Sequence, residues 1–165
     1  MKKILSEKIA RIISKRKKLE ESLNVKITNR GKEVFIEGNS EDEYAAEKII
    51  EALNFNFPFE VVMLIKYENF SFEILNIKDY TKRKDLERVR ARIIGKGGKA
   101  LKTLNGLTKC YFELKDNNVG IIGNVEHIKH AEEAIIAIIK GAKHSNVYSF
   151  LEKHQPKKII DLGLK

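Results

Sequence analysis

Tryptophan is absent from this sequence, cysteine occurs once (Cys110) and proline twice (Pro58 and Pro156). One cysteine excludes an intramolecular disulfide and any cysteine-based zinc site. Cys110 alternates with Phe112 in an apolar stretch, so it reads as a small buried hydrophobe and not as a nucleophile. Long apolar runs are also missing: nothing approaches the roughly 18 residues of a membrane span. The opening MKKILSEKIARII starts with charge, but Ser6, Glu7, Lys8 and Arg11 interrupt its apolar positions. That is a poor signal peptide, and the expectation is a cytoplasmic protein with no membrane partner. No Ser/His/acid or two-carboxylate constellation stands out, and the phosphate-loop spacing G-x-x-x-x-G-K-[ST] does not occur. His127 and His130 lie three apart on what reads as the last helix. No third ligand accompanies them, so they read as solvated surface histidines, and neither a metal nor another cofactor is expected.

What the chain does have is positive charge, unevenly placed. Its 165 residues are 42% hydrophobic and 33% charged, with a formal net charge of +9. Residues 2–18 and 82–102 are densely basic, and the remainder is net acidic. Two concentrated basic stretches on an acidic body point to a directed surface for a polyanion. The tail from Pro156 to Lys165 is also basic but adds little.

The residue patterns give an α+β order that occurs twice. In the first half, Ile9, Ile12, Ile13, Leu19 and Leu23 suit two short helices broken near Ser14 to Lys18. Val25–Ile27 and Val34–Ile36 read as strands around a turn at Asn29–Lys32, and Asn39 or Ser40 caps the helix that follows. Little chain precedes Ile4 for a leading strand. Phe55, Phe57 and Phe59 then alternate around Pro58, which reads as a packed interdomain joint with a short connector helix. An exposed aromatic cluster for stacking bases is the rival for that stretch. In the second half, Phe70–Tyr80 reads as a strand, Lys82–Ile94 as a helix, and the run beyond Gly98 as another helix. Two strands follow around Asp116–Asn118, then a helix from Asn124 to Ala142. Ala10-Arg11-Ile12-Ile13 answers Ala91-Arg92-Ile93-Ile94, and Val34–Asn39 answers Val119–Asn124. The offset drifts from about 81 to about 85, as small turn insertions require, and a repeat this long means two homologous domains.

The centre of the second half is Gly95-Lys96-Gly97-Gly98 between two helical runs. Three glycines strip the turn of every Cβ but that of Lys96, so a phosphate backbone can press against main-chain N–H groups. Gly95-x-Gly97-x-x-Ala100 also fits the dinucleotide fingerprint, but that fingerprint needs a buried strand before it. The preceding KDLERVRARII is charged at helical spacing, which argues against that reading.

Glycine turn, preceding Ile93-Ile94 and following Leu101 and Leu104 together resemble the signature of a type I KH domain, ordered β-α-α-β-β-α with GxxG between its first helices. Such a turn grips about four nucleotides of single strand while a groove beside it reads bases. On that resemblance Lys96, Lys99 and Arg92 supply phosphate charge, and Ile94 and the strand from Lys109 line the groove. Arg90 and Lys102 join Gly95, Gly97 and Gly98 in the RNA-binding set. Arg92–Lys99 and the string Gly141–Glu152 together make nearly the whole chain similar to the archaeal two-KH pre-ribosomal RNA-processing proteins. These are related to the eukaryotic Dim/Pno-type small-subunit assembly factors.

The resemblance implies two tandem type I KH domains, each a three-stranded sheet packed against three helices. The first is degenerate and ends, with its connector, near residue 67; the second spans 68–155, and 156–165 is tail. It further implies a non-catalytic protein that binds single-stranded RNA near the 3′ end of small-subunit rRNA. The implied partners are a PIN-domain rRNA endonuclease and proteins of the precursor subunit. One departure stands out: where the first domain would carry GxxG, the sequence reads Ser14-Lys15-Arg16-Lys17. Long side chains there block close backbone approach, so the first domain is expected to offer a basic surface without gripping RNA in the KH manner. A protein-interaction scaffold with little RNA affinity is the alternative; an enzyme has no residues to recommend it.

Overall fold

The computed structural model describes residues 1–155, so the basic tail lies outside the described residues. Within them the chain forms two KH-like units in sequence. The first is β1 (Lys2–Leu5), α1 (Ile9–Leu23), β2 (Lys26–Arg30), β3 (Glu33–Glu37) and α2 (Ser40–Asn54). A connector follows, with α3 (Phe59–Val62) running into a 3-10 turn at Met63–Lys66. The second unit is β4 (Phe70–Asn76), α4 (Leu86–Ile94), α5 (Lys99–Thr108), β5 (Tyr111–Lys115), β6 (Asn118–Asn124) and α6 (Ile128–Ile139), closed by α7 (His144–Lys153). Each sheet is antiparallel, with the last strand of its unit in the centre: β1-β3-β2 and β4-β6-β5. Among the described residues no helix is long and apolar enough to cross a membrane.

Three expectations need correction in the first unit. The helical break near Ser14–Lys18 does not occur: α1 runs unbroken for 15 residues, burying Ile12, Leu19 and Leu23 along one stripe. Without glycine at the turn, the Lys and Arg residues there are good helix formers and nothing interrupts the i→i−4 ladder. The two helices of the KH order therefore fuse, and this sheet packs against two helices, not three. A leading strand is also present, because Lys2–Leu5 finds enough backbone to pair with β3 from Lys2↔Ile36 to Leu5↔Glu33. In the second unit the last predicted helix is shorter at both ends. The Asn124 side chain accepts from the Glu126 amide and holds a turn, while Gly141 at φ +100° stops the helix before α7.

The two central strands show how each sheet is used. β3 reads EVFIE and buries Val34 and Ile36 on one face, with glutamates on the other. β6 reads NVGIIGN and is buried from Val119 through Gly123, the continuous apolar run expected of a strand covered on both faces. Val119 and Ile121 face α4 and α6, together with Leu75, Phe112 and Ile135. Ile122 and its cross-strand neighbour Phe72 belong instead to the core of the first unit. The cover is aromatic: Phe55 and Phe57, at the end of α2 and just beyond, meet Phe72 edge-to-face at 5.7 and 5.9 Å between centroids. The alternating phenylalanines are thus the interdomain joint and not an open stacking platform.

Gly120 lies under those rings. A Cβ built there would come 2.8 Å from Phe55 and 3.0 Å from Phe57. Gly120→Val should therefore separate the rings from the sheet and destabilise by about 1–3 kcal/mol. Gly106, in α5 with open space around it, provides the contrast: Gly106→Ala should stabilise by about 1 kcal/mol. Urea melts of the two variants check both signs.

Candidate nucleic-acid interface

Helix α4 starts under a cap, the Asp85 carboxylate accepting the Arg88 amide, and buries Val89 and Ile93. It ends at Gly95, whose φ of +77° and ψ of 169° belong to a region essentially restricted to glycine. A Cβ on Gly95 would lie 2.6 Å from both Cβ and N of Ala100. This glycine lets α4 and α5 approach closely. Gly97 and Gly98 also have positive φ, +63° and +79°, but a Cβ on either would meet nothing within 4 Å. The outer side of the turn is open space bounded by main chain, with the amino end of α5 behind it, an arrangement suited to an anion. Lys96 and Lys99 are exposed on the turn, and Lys102 is exposed one turn into α5.

Beside the turn runs a groove of about 470 Å³ lined by Arg90, Ile94, Leu114, Asp116 and Asn117. Ile94, 37% exposed, and Leu114 give it an apolar floor. Asp116, Asn117 and Arg90 give it a polar wall that can exchange hydrogen bonds with a flat heterocycle. Arg90 donates to the Asn117 side chain and so ties α4 to the β5–β6 turn. Leu114 lies on the strand expected to line the groove, whereas Asp116 and Asn117 were not anticipated as site residues. Asp116 and Asn117 announce only a turn in the sequence, and nothing local says which groove that turn borders.

Two anticipated residues do not belong to the anion surface. The Arg92 guanidinium donates to the carbonyls of Ile138, at 2.8 Å, and Ala142, at 2.6 Å, at the carboxyl end of α6. It adds a second donor to the Ile138 carbonyl, which already accepts the Gly141 amide, and sits at the negative end of the helix dipole. The imidazole Nε2 of His144 bonds the Arg92 carbonyl at 2.8 Å, drawing α7 into the same junction. Arg11, its counterpart in the first unit, does the same with the carbonyls of Leu53, at 2.9 Å, and Phe57, at 2.7 Å. Lys109 is the second correction. It caps the far end of α5 in a left-handed conformation, φ 58°, about 15 Å along the axis from the turn.

Other chemistry-bearing side chains lie elsewhere. Cys110 is fully buried, and burial pushes its thiol up to about 11. His130 packs its ring against Phe150 and His154. Among the described residues no group of three His, Cys, Asp or Glu side chains converges as a metal site would require. A larger cleft of about 790 Å³ opens between the units, but its lining sets Glu41, Asp42, Glu68 and Glu73 against Lys48 and Lys66 and is net acidic. That charge disfavours a polyanion.

Comparison with known proteins agrees with this geometry. The model for the second KH domain of PNO1 proteins, a eukaryotic-type (type I) KH domain, matches residues 71–156. A KH domain-containing protein of Methanocaldococcus jannaschii is 28% identical over 94% of this chain and 73% of its own length. The pre-rRNA-processing protein PNO1 of Debaryomyces hansenii is 29% identical over 68% of this chain and 47% of its own, so the chain spans about half that relative. Among solved structures, a chain of the a/eIF2alpha–aDim2p–rRNA complex of Pyrococcus horikoshii superposes with a TM-score of 0.84 at 28% identity. The match covers 93% of this chain and 92% of that one.

If Arg92 holds the α6–α7 junction as described, Arg92→Gln should lower stability by about 2–3 kcal/mol, the typical loss for charge-assisted bonds to buried acceptors. A fall in melting temperature of several degrees checks this.

Proposed function

This chain belongs to the Dim2/Pno1 family of KH-domain proteins, and we propose that it is a non-catalytic factor that binds single-stranded ribosomal RNA during small-subunit maturation. The observation that carries the reading is the Gly95–Gly98 turn, open at Gly97 and Gly98 and flanked by Lys96, Lys99 and Lys102, beside a groove with an apolar floor and a polar wall. Phosphates of about four consecutive nucleotides lie against the turn and the amino end of α5. Bases enter the groove over Ile94 and Leu114, where Asn117, Asp116 and Arg90 meet their edges. The glycines set how closely the strand approaches, and the lysines set how strongly it is held.

Ribosomal RNA as the ligand is supported by the names of the relatives: one is a pre-rRNA-processing protein and another was solved in an rRNA complex. The finer assignment, to the 3′ end of small-subunit rRNA and to a PIN-domain endonuclease as neighbour, rests on the family resemblance. The first unit lacks the turn altogether, since α1 is continuous where the glycines would be. One clamp, in the second unit, does the gripping.

Lys96→Asp/Gly97→Asp should abolish binding to an oligonucleotide from the rRNA 3′ end while leaving the melting temperature nearly unchanged. Both positions face open space, and aspartate tolerates a left-handed φ better than most residues. Filter binding reads the first effect and circular dichroism the second; unaltered RNA affinity in a folded variant would refute the clamp and favour a protein-interaction scaffold. For the wild type, log K should fall against log salt with a slope of about −3, from about four phosphates at roughly 0.7 each.

A further inference from the structure

Strand β4 lies at one end of its sheet, so only one of its long sides is paired, to β6. The Val125 amide donates to the Asn69 carbonyl just before the strand, and the Ile77 amide to the Asn117 carbonyl just after it. With the register running from Phe70↔Asn124 to Asn76↔Asn118, these bonds fix the alternation of the ladder. Ser71, Glu73 and Leu75 bond to β6, whereas Phe70, Phe72, Ile74 and Asn76 point their main-chain groups the other way. The Phe70 amide turns back to the Tyr67 carbonyl at 3.1 Å. Phe72 and Ile74 find no main-chain partner on that side among the described residues. Unpaired N–H and C=O groups on alternate residues are what an added strand pairs with.

This open edge forms a wall of the cleft of about 790 Å³ between the units, from Phe70 to Glu73. The amino end of α2 and the connector residues Ile65–Glu68 form other walls. On a chain of net charge +9 the lining is net acidic, with Glu41 and Asp42 from α2, Glu68 from the connector and Glu73 from β4. None of these four carboxylates is in a salt bridge among the described residues. Glu73 accepts a bond from the Ser71 hydroxyl, which leaves its charge uncompensated. Of the two lysines in the lining, Lys48 already pairs with Glu51 at 3.8 Å.

Two tyrosines complete the cleft, Tyr44 at 60% and Tyr67 at 56% exposure. Lys48 stands 5.8 Å from the ring centroid of Tyr44. Tyr67 has no cation over its ring among the described residues. An exposed ring beside uncompensated carboxylates suits a guanidinium, which stacks on the one and bonds to the other.

We infer that this cleft is a docking groove for an extended, arginine-rich segment of a partner protein, which adds to β4 as a further strand. Main-chain bonds at Phe72 and Ile74 hold the segment, and its cations face Glu41, Asp42, Glu68 and Glu73. Charge excludes RNA from the groove. It disfavours a second copy of this chain as well, because two β4 edges paired antiparallel about their middles would bring one Glu73 against the other. Nucleic acid at the glycine turn and a basic polypeptide at β4 are thus held on separate surfaces. The docking groove goes beyond the RNA-binding reading and does not depend on it.

The probe is a synthetic peptide of about seven residues, the length of β4, alternating arginine with threonine. It is compared with a peptide carrying glutamate in place of arginine, and with two forms N-methylated at every arginine or at every threonine amide. Fluorescence anisotropy with the full chain reads the affinities. Wild type should bind the arginine peptide, more weakly as salt rises, and should not bind the glutamate peptide. One N-methylated form should lose roughly tenfold and the other clearly less, because only alternate amides of an added strand face β4. Glu68→Lys/Glu73→Lys should lose roughly tenfold, two surface ion pairs having become repulsions. Glu87→Lys/Glu152→Lys makes the same charge change at exposed positions outside the cleft and should lose clearly less. Ile74→Pro, a substitution an edge strand tolerates, should also lose roughly tenfold.

No binding by wild type would overturn the groove. Equal affinity for the peptide and both N-methylated forms would overturn strand addition, and equal losses in the two charge-reversed variants would reduce the cleft to diffuse charge; either result refutes the inference. A wild-type chain that dimerises in sedimentation, with the dimer lost in Ile74→Pro, would make a second copy the occupant and refute it too. RNA binding at the glycine turn stands under all of these results. Should Glu68→Lys/Glu73→Lys melt early, Glu68→Gln/Glu73→Gln gives the same comparison without charge reversal.

Discussion

The contact of Phe55 and Phe57 with the outer face of the second sheet fixes everything else in this molecule. Each aromatic side chain removes some 150–250 Å² from water, and edge-to-face pairs add about 0.5–1.5 kcal/mol beyond that area. The sheet answers with Phe72 and Ile122, and with a glycine, Gly120, under the rings. Because the contact joins the end of α2 to the middle of β6, it leaves the first unit no freedom to swing. It also brings Arg11 of α1 close enough to Glu113 of β5 for its charge to act on that carboxyl. The relation between the two sheets is therefore built into a core and does not depend on a linker.

The two units show which parts of a repeated scaffold serve folding and which serve binding. Arg11 and Arg92 occupy equivalent positions and hold equivalent carbonyls, the next-to-last residue of α2 or α6 and the residue four further on. Both copies need that bond because both must close the end of a long helix against an earlier one. The glycine turn has no such duty in the first copy. Once its glycines are replaced by long side chains, two short helices become one, and the sheet and core are unaffected.

Most of the second unit could be read from its residues, since each element there has one period and a clear stop. The alternation of Phe70, Phe72 and Ile74 gives a strand, the spacing of Leu86, Val89 and Ile93 a helix, and the glycines the turn. The first unit was misread at α1 because the repeat suggested a break that the residues themselves, Lys15 to Lys18, do not support. Arg92 was misread for a different reason. A basic residue three positions before a glycine turn looks like a phosphate ligand, and its real acceptors lie 46 and 50 residues away along the chain. Side-chain destinations of that kind have no local signature. The groove wall at Asp116 and Asn117 was missed on the same grounds, because turn residues announce a turn and not what it faces.

Cys110 has a practical consequence. It is the chain's only cysteine, fully buried beneath the second sheet, and its thiol stays protonated well above neutral pH. The folded protein is accordingly blank to maleimide dyes and spin labels, which attack the exposed thiolate. A reporter placed on a new surface cysteine would be the only one on the molecule, with no native thiol to remove first.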